Sequence, residues 1–198
     1  MKKLTGLLFA LVLLNTLAKG QDDDAIQKPT FGVQFFFNDF KSAANIRANS
    51  LGVVLKNKEF GKIKDMTPGL ALTYIDGLSR YFDFTTSLAA SFVDYPVQNK
   101  PSFGSDKLLL EADVSVRGKL ISNKALINPY LQAGLGVSRY KNYYGTFLPV
   151  GMGLQVNLFN EAYLLLNAQY RIPITETTNH HFWFGIGFAG NIGKKTTE

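Results

Sequence analysis

Six charged residues invite a chemical reading: Asp83, Glu111, Asp113, Arg117, Lys119 and Arg171. Carboxylates and cations held close together can line an ion path or pair into a plug. A charge kept from water needs a partner, and a narrow interior is normally filled, so the plug is the favoured reading. His180 and His181 are the only histidines and are adjacent. With Glu176 nearby they could suit a hydrolase or an acyltransferase, which needs a His beside a Ser or an acid. No nucleophile signature accompanies them, and neighbours on an extended chain point to opposite faces. Two histidines alone also make a weak metal site. They are read as loop residues, and no catalytic, cofactor-binding or metal-ligating residue is assigned. A third group is basic: Lys41, Arg47, Lys56, Lys58, Lys62 and Lys64 against Asp39, Glu59 and Asp65, all within residues 38–66.

The elements that must position these groups are legible from a parity. From Lys107 to Lys119 one alternating set is Leu108, Leu110, Ala112, Val114 and Val116. The other is Lys107, Leu109, Glu111, Asp113, Ser115, Arg117 and Lys119. A period of two is a strand with two unlike faces. The charged face is too rich for a protein interior, unless that interior is the lumen of a barrel whose outside meets lipid. Slipping this strand by one residue would turn Glu111, Asp113 and Arg117 toward lipid. A basic residue at the midplane costs about 2–4 kcal/mol, and an acid somewhat less. Domain stability is only about 5–15 kcal/mol, so the register is strongly specified.

Eight such segments are predicted, over residues 30–37, 67–76, 81–93, 107–117, 129–140, 148–158, 162–172 and 182–192. Most have about the 9–11 residues that a tilted strand needs to cross a bilayer. Their connections alternate between a longer set (38–66, 94–106, 141–147, 173–181) and a shorter one (77–80, 118–128, 159–161). The 118–128 connection is long for its set, as it would be if the flanking strands run further. An even strand number with short turns on one side is the arrangement of an outer-membrane barrel. Gly134, Gly136, Gly151, Gly153, Gly185 and Gly187 fall on the inward parity. They either mark bulges or make room for Glu111, Arg117, Arg171, Gln34, Gln132, Gln155 and Gln169. Asp83 is expected near Arg117, and Glu111 within reach of Arg171 across the lumen. In residues 38–66, Ala44, Ile46, Leu51, Val54 and Leu55 have roughly helical spacing, with Gly52 as the break. That segment is either a folded cap or a solvated charged loop.

The ends set the compartment. Lys2 and Lys3 precede an apolar run from Leu7 to Leu14, too short to span a bilayer as a helix. Ala18 and Gly20 then offer a cleavage site before Gln21, so residues 1–20 read as a secretory signal peptide. The chain has no cysteine, which excludes a disulfide framework and thiolate metal sites. The signal holds three of the 21 bases and no acid, leaving 18 against 15 acids, a net +3. That is not a nucleic-acid binder's balance. Sixteen Phe and nine Tyr suit a protein that shows rings to lipid and to both interfaces. A soluble carrier barrel would need the reverse pattern, with an apolar lumen and a polar outside.

Three segments carry a family resemblance: Asn128-Pro129-Tyr130-Leu131-Gln132-Ala133-Gly134-Leu135-Gly136, Phe182-Trp183-Phe184-Gly185-Ile186-Gly187, and Asp65-Met66-Thr67-Pro68-Gly69-Leu70. Through them the chain resembles the outer-membrane β-barrel proteins of Bacteroidota-type bacteria, a porin-family group related in form to the N-terminal domain of OmpA. Many such proteins carry a peptidoglycan-binding domain after the barrel. The present chain reaches Glu198 soon after the last strand and is read without one.

The sequence therefore predicts an all-β, eight-stranded, antiparallel up-and-down transmembrane barrel with one long extracellular loop of helical spacing. Residues 21–29 form a periplasmic segment, 30–193 the barrel and 194–198 a short tail. Asp83, Glu111, Asp113, Arg117 and Arg171 form a structural luminal network. Lys41, Arg47, Lys56, Lys58, Lys62 and Lys64 mark the candidate interaction loop. The expected role is structural or interactive and non-enzymatic, with a closed lumen and no cofactor. The expected partners are outer-membrane lipid, lipopolysaccharide or a protein in an outer-membrane complex, with no nucleic acid. The alternatives are a lipid-modifying enzyme on the same barrel or a narrow pore.

Overall fold

Each strand has one face that cannot stay in water and one that cannot leave it, so the sheet can satisfy both only by closing on itself. The computed structural model describes residues 26–96, 104–121, 125–158 and 161–193. The signal peptide and the tail 194–198 lie outside the described residues. Eight strands run in chain order: β1 (Thr30–Asp39), β2 (Thr67–Gly77), β3 (Phe82–Val93), β4 (Lys107–Lys119), β5 (Ile127–Tyr140), β6 (Tyr143–Leu158), β7 (Ala162–Pro173) and β8 (His181–Asn191). Each pairs antiparallel with its chain neighbours, and β1 pairs with β8 to close the barrel. No edge is left unpaired.

The parity holds in every strand. Phe31, Val33 and Phe35 on β1, Leu70 and Leu72 on β2, and Leu131, Leu135 and Val137 on β5 are exposed on the outer wall. Gln34, Asp83, Glu111, Asp113, Arg117, Gln132, Gln155, Gln169 and Arg171 are buried inside. β4 and β5 do run beyond their sequence-based limits, to Lys119 and from Ile127. β6 differs more. It starts at Tyr143, so Tyr143, Gly145 and Phe147 are strand residues rather than loop. The alternation continues through them, but Gly145 and the short Lys141 turn hide it. Lys141 takes φ 52°, which lets two residues reverse the chain. The β5–β6 pairing is interrupted, with no shift of register, at Gly134 and Leu135, which stand opposite Pro149 and Leu148; Pro149 has no N–H to donate.

Between β1 and β2 the chain forms two helices, α1 (Phe40–Asn49) and α2 (Leu51–Lys56), and a 3₁₀ turn, Ile63–Asp65. Asp39 caps α1, its carboxylate accepting a hydrogen bond from the Ser42 N–H at 2.8 Å. The break falls at Ser50, with φ 69°, and not at Gly52, which lies inside α2. Ala43 and Val54 are the fully buried apolar residues here. Of the residues of helical spacing, Ala44, Leu51 and Leu55 are exposed.

Candidate functional site

The inward glycines show how the lumen is built. A Cβ on Gly153 would lie 2.4 Å from the Tyr130 ring, and one on Gly136 would lie 2.4 Å from the Phe147 ring. Gly69 stands in the same relation to Phe36, and Gly185 to Trp183. In each case an aromatic ring occupies the space that a side chain at the glycine would take, which fills a narrow lumen without crowding the backbone. The expected partnership of glycines with long polar groups holds at Gly187 with Gln34 and at Gly151 with Gln169. At Gly136, Gly153 and Gly185 the occupant is a ring.

These rings frame the charged groups. Arg171 donates to Glu111 Oε2 across the lumen, and its Nη2 lies 3.5 Å from Asp113 Oδ2. The Glu111–Arg171 contact is the one the sequence predicted. The guanidinium sits between the Phe147 ring (4.9 Å) and the Trp183 ring (5.3 Å), a stacked environment that suits its weakly hydrated faces. His181 completes the cluster, its Nε2 3.4 Å from Glu111 Oε1. That corrects the reading of His181 as a loop residue. It opens β8, and extending the inward parity two residues back from Trp183 would have placed it. His180, next to it, faces away and lies against Tyr170, whose hydroxyl is 3.0 Å from His180 Nδ1. The two histidines do not share a site. Burial, with Arg47 nearby, holds the His180 imidazole below its usual titration range.

Lower in the lumen, Asp83 stands opposite Arg117 in register, as expected. Asp83 also takes an ion pair at 2.6 Å from Lys119. Arg117 stacks over the Tyr130 ring at 4.5 Å. The luminal charges thus pair as Asp83 with Lys119 and as Glu111 and Asp113 with Arg171, and Trp183 beside Arg171 stacks on Phe36.

Each end of the lumen is covered by residues that the sequence did not single out. At the long-loop end, Val93, Tyr95, Leu109 and Tyr140 pack together, with Phe40 against them. The Tyr95 hydroxyl accepts from the Asn179 N–H at 2.7 Å, and the Asn179 side chain donates to the Pro96 carbonyl at 2.7 Å. Burial pushes the Tyr95 phenol above its usual range. Phe40 lies 4.5 Å from the His181 ring and links this lid to the charged cluster. At the short-turn end, Gln27 is 1% exposed. Its amide donates to Thr30 at 2.8 Å and accepts from Gln155 at 3.1 Å.

The basic residues of the long loop are all exposed. Lys41 pairs with Asp65 at 3.0 Å, a hydrogen bond that holds the Asp65 carboxyl below its usual range. Arg47, Lys56, Lys58, Lys62 and Lys64 point to solvent beside exposed Leu51, Val53, Leu55 and Ile63. Phe60 packs edge-on against Phe182 on the outer wall, ring centres 5.4 Å apart. The loop thus reaches over the rim onto the wall as well as over the mouth. Among the described residues no group of three or more His, Asp or Glu side chains could hold a metal.

No family model matches the chain, and no curated protein matches it in sequence. Solved structures do match in shape. Neisserial surface protein A aligns with 82% of this chain and 97% of its own at 13% identity, TM-score 0.52. The outer membrane protein OprG from Pseudomonas aeruginosa aligns with 84% and 97% at 12% identity, TM-score 0.51. The N-terminal β-barrel domain of Pseudomonas aeruginosa OprF also aligns, at 10% identity, over 82% of this chain and 97% of its own, TM-score 0.49. At such identities the shared property is the fold: the chain is a closed, eight-stranded, antiparallel up-and-down β-barrel of the kind found in small outer-membrane proteins.

Proposed function

We propose that the protein is an integral outer-membrane barrel with a structural or interaction role. Its termini are periplasmic, its lumen is closed, and its long loops face outward to contact lipopolysaccharide or a protein partner. The observation that carries this reading is the inverted distribution of polarity. The outer wall presents Phe, Leu, Val and Ile, while two ion-paired groups and a set of glutamines are buried inside. Only a lipid surround makes that arrangement favourable. Closure is supported by the stacked layers from the Tyr95 lid to Gln27, which leave charged side chains paired or stacked on rings. The interaction role is supported by the loop, where exposed apolar residues and lysines lie together at one rim. The experiment combines two measurements on protein refolded in detergent. Planar-bilayer recordings should show no large, stable conductance. Deleting residues 41–64 should leave heat-modifiable gel mobility intact while abolishing capture of a native partner and lowering, without abolishing, binding to purified lipopolysaccharide. A steady porin-sized current refutes the closed lumen, and unchanged binding refutes the loop as the interaction surface.

A further inference from the structure

Among the eight strands, Arg139 on β5 is the only basic residue of outward parity. Elsewhere the outer wall carries mainly apolar side chains, with Thr86 and Thr146 among them and Asp76 at the short-turn rim, so the one cation there calls for a reason. It sits one residue from the end of β5 at the long-loop rim, opposite Leu110 on β4 and Tyr144 on β6. A basic group costs far less at that height than at the bilayer midplane, so the interface is where it can face outward. Its guanidinium lies 5.5 Å from the Tyr144 ring. Two more cations flank it, Lys107 at the start of β4 and Lys141 in the β5–β6 turn, both exposed.

Grooves lie on the wall beside these cations. One, of about 440 Å³, is lined by Leu88, Leu110, Ala112, Val137, Tyr144 and Thr146, with Arg139 at its edge. The other, of about 340 Å³, runs between Lys107, Leu108, Leu110, Arg139 and Lys141. They share Leu110 and Arg139, which makes an apolar furrow with cations at its upper end. Of the carboxylates at this rim, Glu111 points inward and pairs with Arg171, Asp106 borders a different groove beside Phe92, and Asp94 and Asp106 both lie near Tyr140.

We propose that Arg139, Lys107 and Lys141 bind the phosphorylated headgroup of a multiply acylated glycolipid of the lipid A type, with acyl chains along the Leu110–Val137 furrow. A planar guanidinium suits a phosphate by bidentate hydrogen bonding, and the flanking lysines add point charges. Three separated cations fit a headgroup with more than one phosphate better than a glycerophospholipid with one. The furrow lies on β4–β6, across the barrel from the β1–β8 wall that the long loop overhangs. This inference rests on the outer-membrane orientation given above, and it concerns a different wall from the loop.

The test is native mass spectrometry of the full-length mature protein in detergent, titrated with bis-phosphorylated lipid A, monophosphorylated lipid A or phosphatidylglycerol. The variants are K107Q/R139Q/K141Q, R139K, and the loop variant K56Q/K58Q/K62Q/K64Q. Each cation near an anionic lipid surface is worth about fivefold in affinity, so the triple variant should lose on the order of a hundredfold for bis-phosphorylated lipid A. R139K should lose less than the triple variant, and the wild type should rank the three lipids in the order named. Folding of every variant is checked by heat-modifiable gel mobility. If the triple variant keeps wild-type affinity, or if phosphatidylglycerol binds as well as lipid A, the site is refuted. A loss confined to the loop variant refutes this site and leaves the loop reading standing, whereas a loss confined to the triple variant does the reverse.

Discussion

Replacing Arg171 with methionine isolates the electrostatics of the lumen. The guanidinium is fully buried and is shared by Glu111, which accepts its hydrogen bond, and Asp113 at 3.5 Å. Removing one partner of a buried pair costs about 3–5 kcal/mol, because the remaining charge is left uncompensated. Here two carboxylates are left, so the upper part of that range is expected. Methionine is flexible enough to fill the space between Phe147 and Trp183, which keeps the cavity contribution small. Glu111→Gln is the contrasting change. It leaves Arg171 with Asp113 and an amide oxygen to donate to, so the loss is that of one charge-assisted hydrogen bond, about 1.5–3 kcal/mol. The triple variant E111Q/D113N/R171M carries none of these charges and should recover most of the loss. Trp183, the only tryptophan, lies 5.3 Å from the guanidinium and reports on the site by fluorescence during urea unfolding in detergent. With a slope of about 1–3 kcal/mol per molar, R171M should lower the midpoint by at least about 1 M. Repeating the series in a His181→Gln background removes the other group that could face Glu111. The reasoning fails if R171M costs no more than E111Q, or if the triple variant is no more stable than R171M.

Gly153→Ala places a methyl 2.4 Å from a Tyr130 ring that Arg117 already holds from the other side, so overpacking should cost about 1–3 kcal/mol. Tyr130→Leu in the same chain should relieve part of it, as measured by thermal loss of the heat-modifiable band. Asp39→Ala removes the α1 cap and should destabilise that helix by about 1 kcal/mol, seen as faster amide exchange over residues 40–49 with the β1 amides unchanged. His180 should titrate below the usual histidine value by NMR. Its folded pKa is depressed, so its contribution to stability is present above the unfolded pKa and is lost as pH falls through the folded one. A His180 signal at or above the usual value would contradict its burial near Arg47.

Period two alone determined much of this molecule. It set the eight strands, the face each turns outward, and the burial of Asp83, Glu111, Asp113, Arg117 and Arg171. A one-residue slip there exchanges every charged and apolar position at once, so few registers are tolerable. The Glu111–Arg171 contact was legible for the same reason, since parity aimed both groups into one narrow lumen. Parity does not carry depth along the barrel or identity across it. Only the closed structure decided that Lys119 pairs with Asp83, that rings rather than long polar chains lie over Gly136, Gly153 and Gly185, and that His181 joins Glu111. Those choices depend on strand stagger and closure, which bring Lys119 to Asp83 on the neighbouring strand and His181 to Glu111 across the lumen. The long loop was half legible. Its helical spacing was readable, but which residues pack depends on where the barrel rim stands. Val54 and Ala43 found that rim, while Leu51 and Leu55 did not. Arg139 is the sharpest case. Parity with Leu131, Leu135 and Val137 already turned it outward, but only the register beside Leu110 and Tyr144 set its height at the rim, where a phosphate headgroup could meet it.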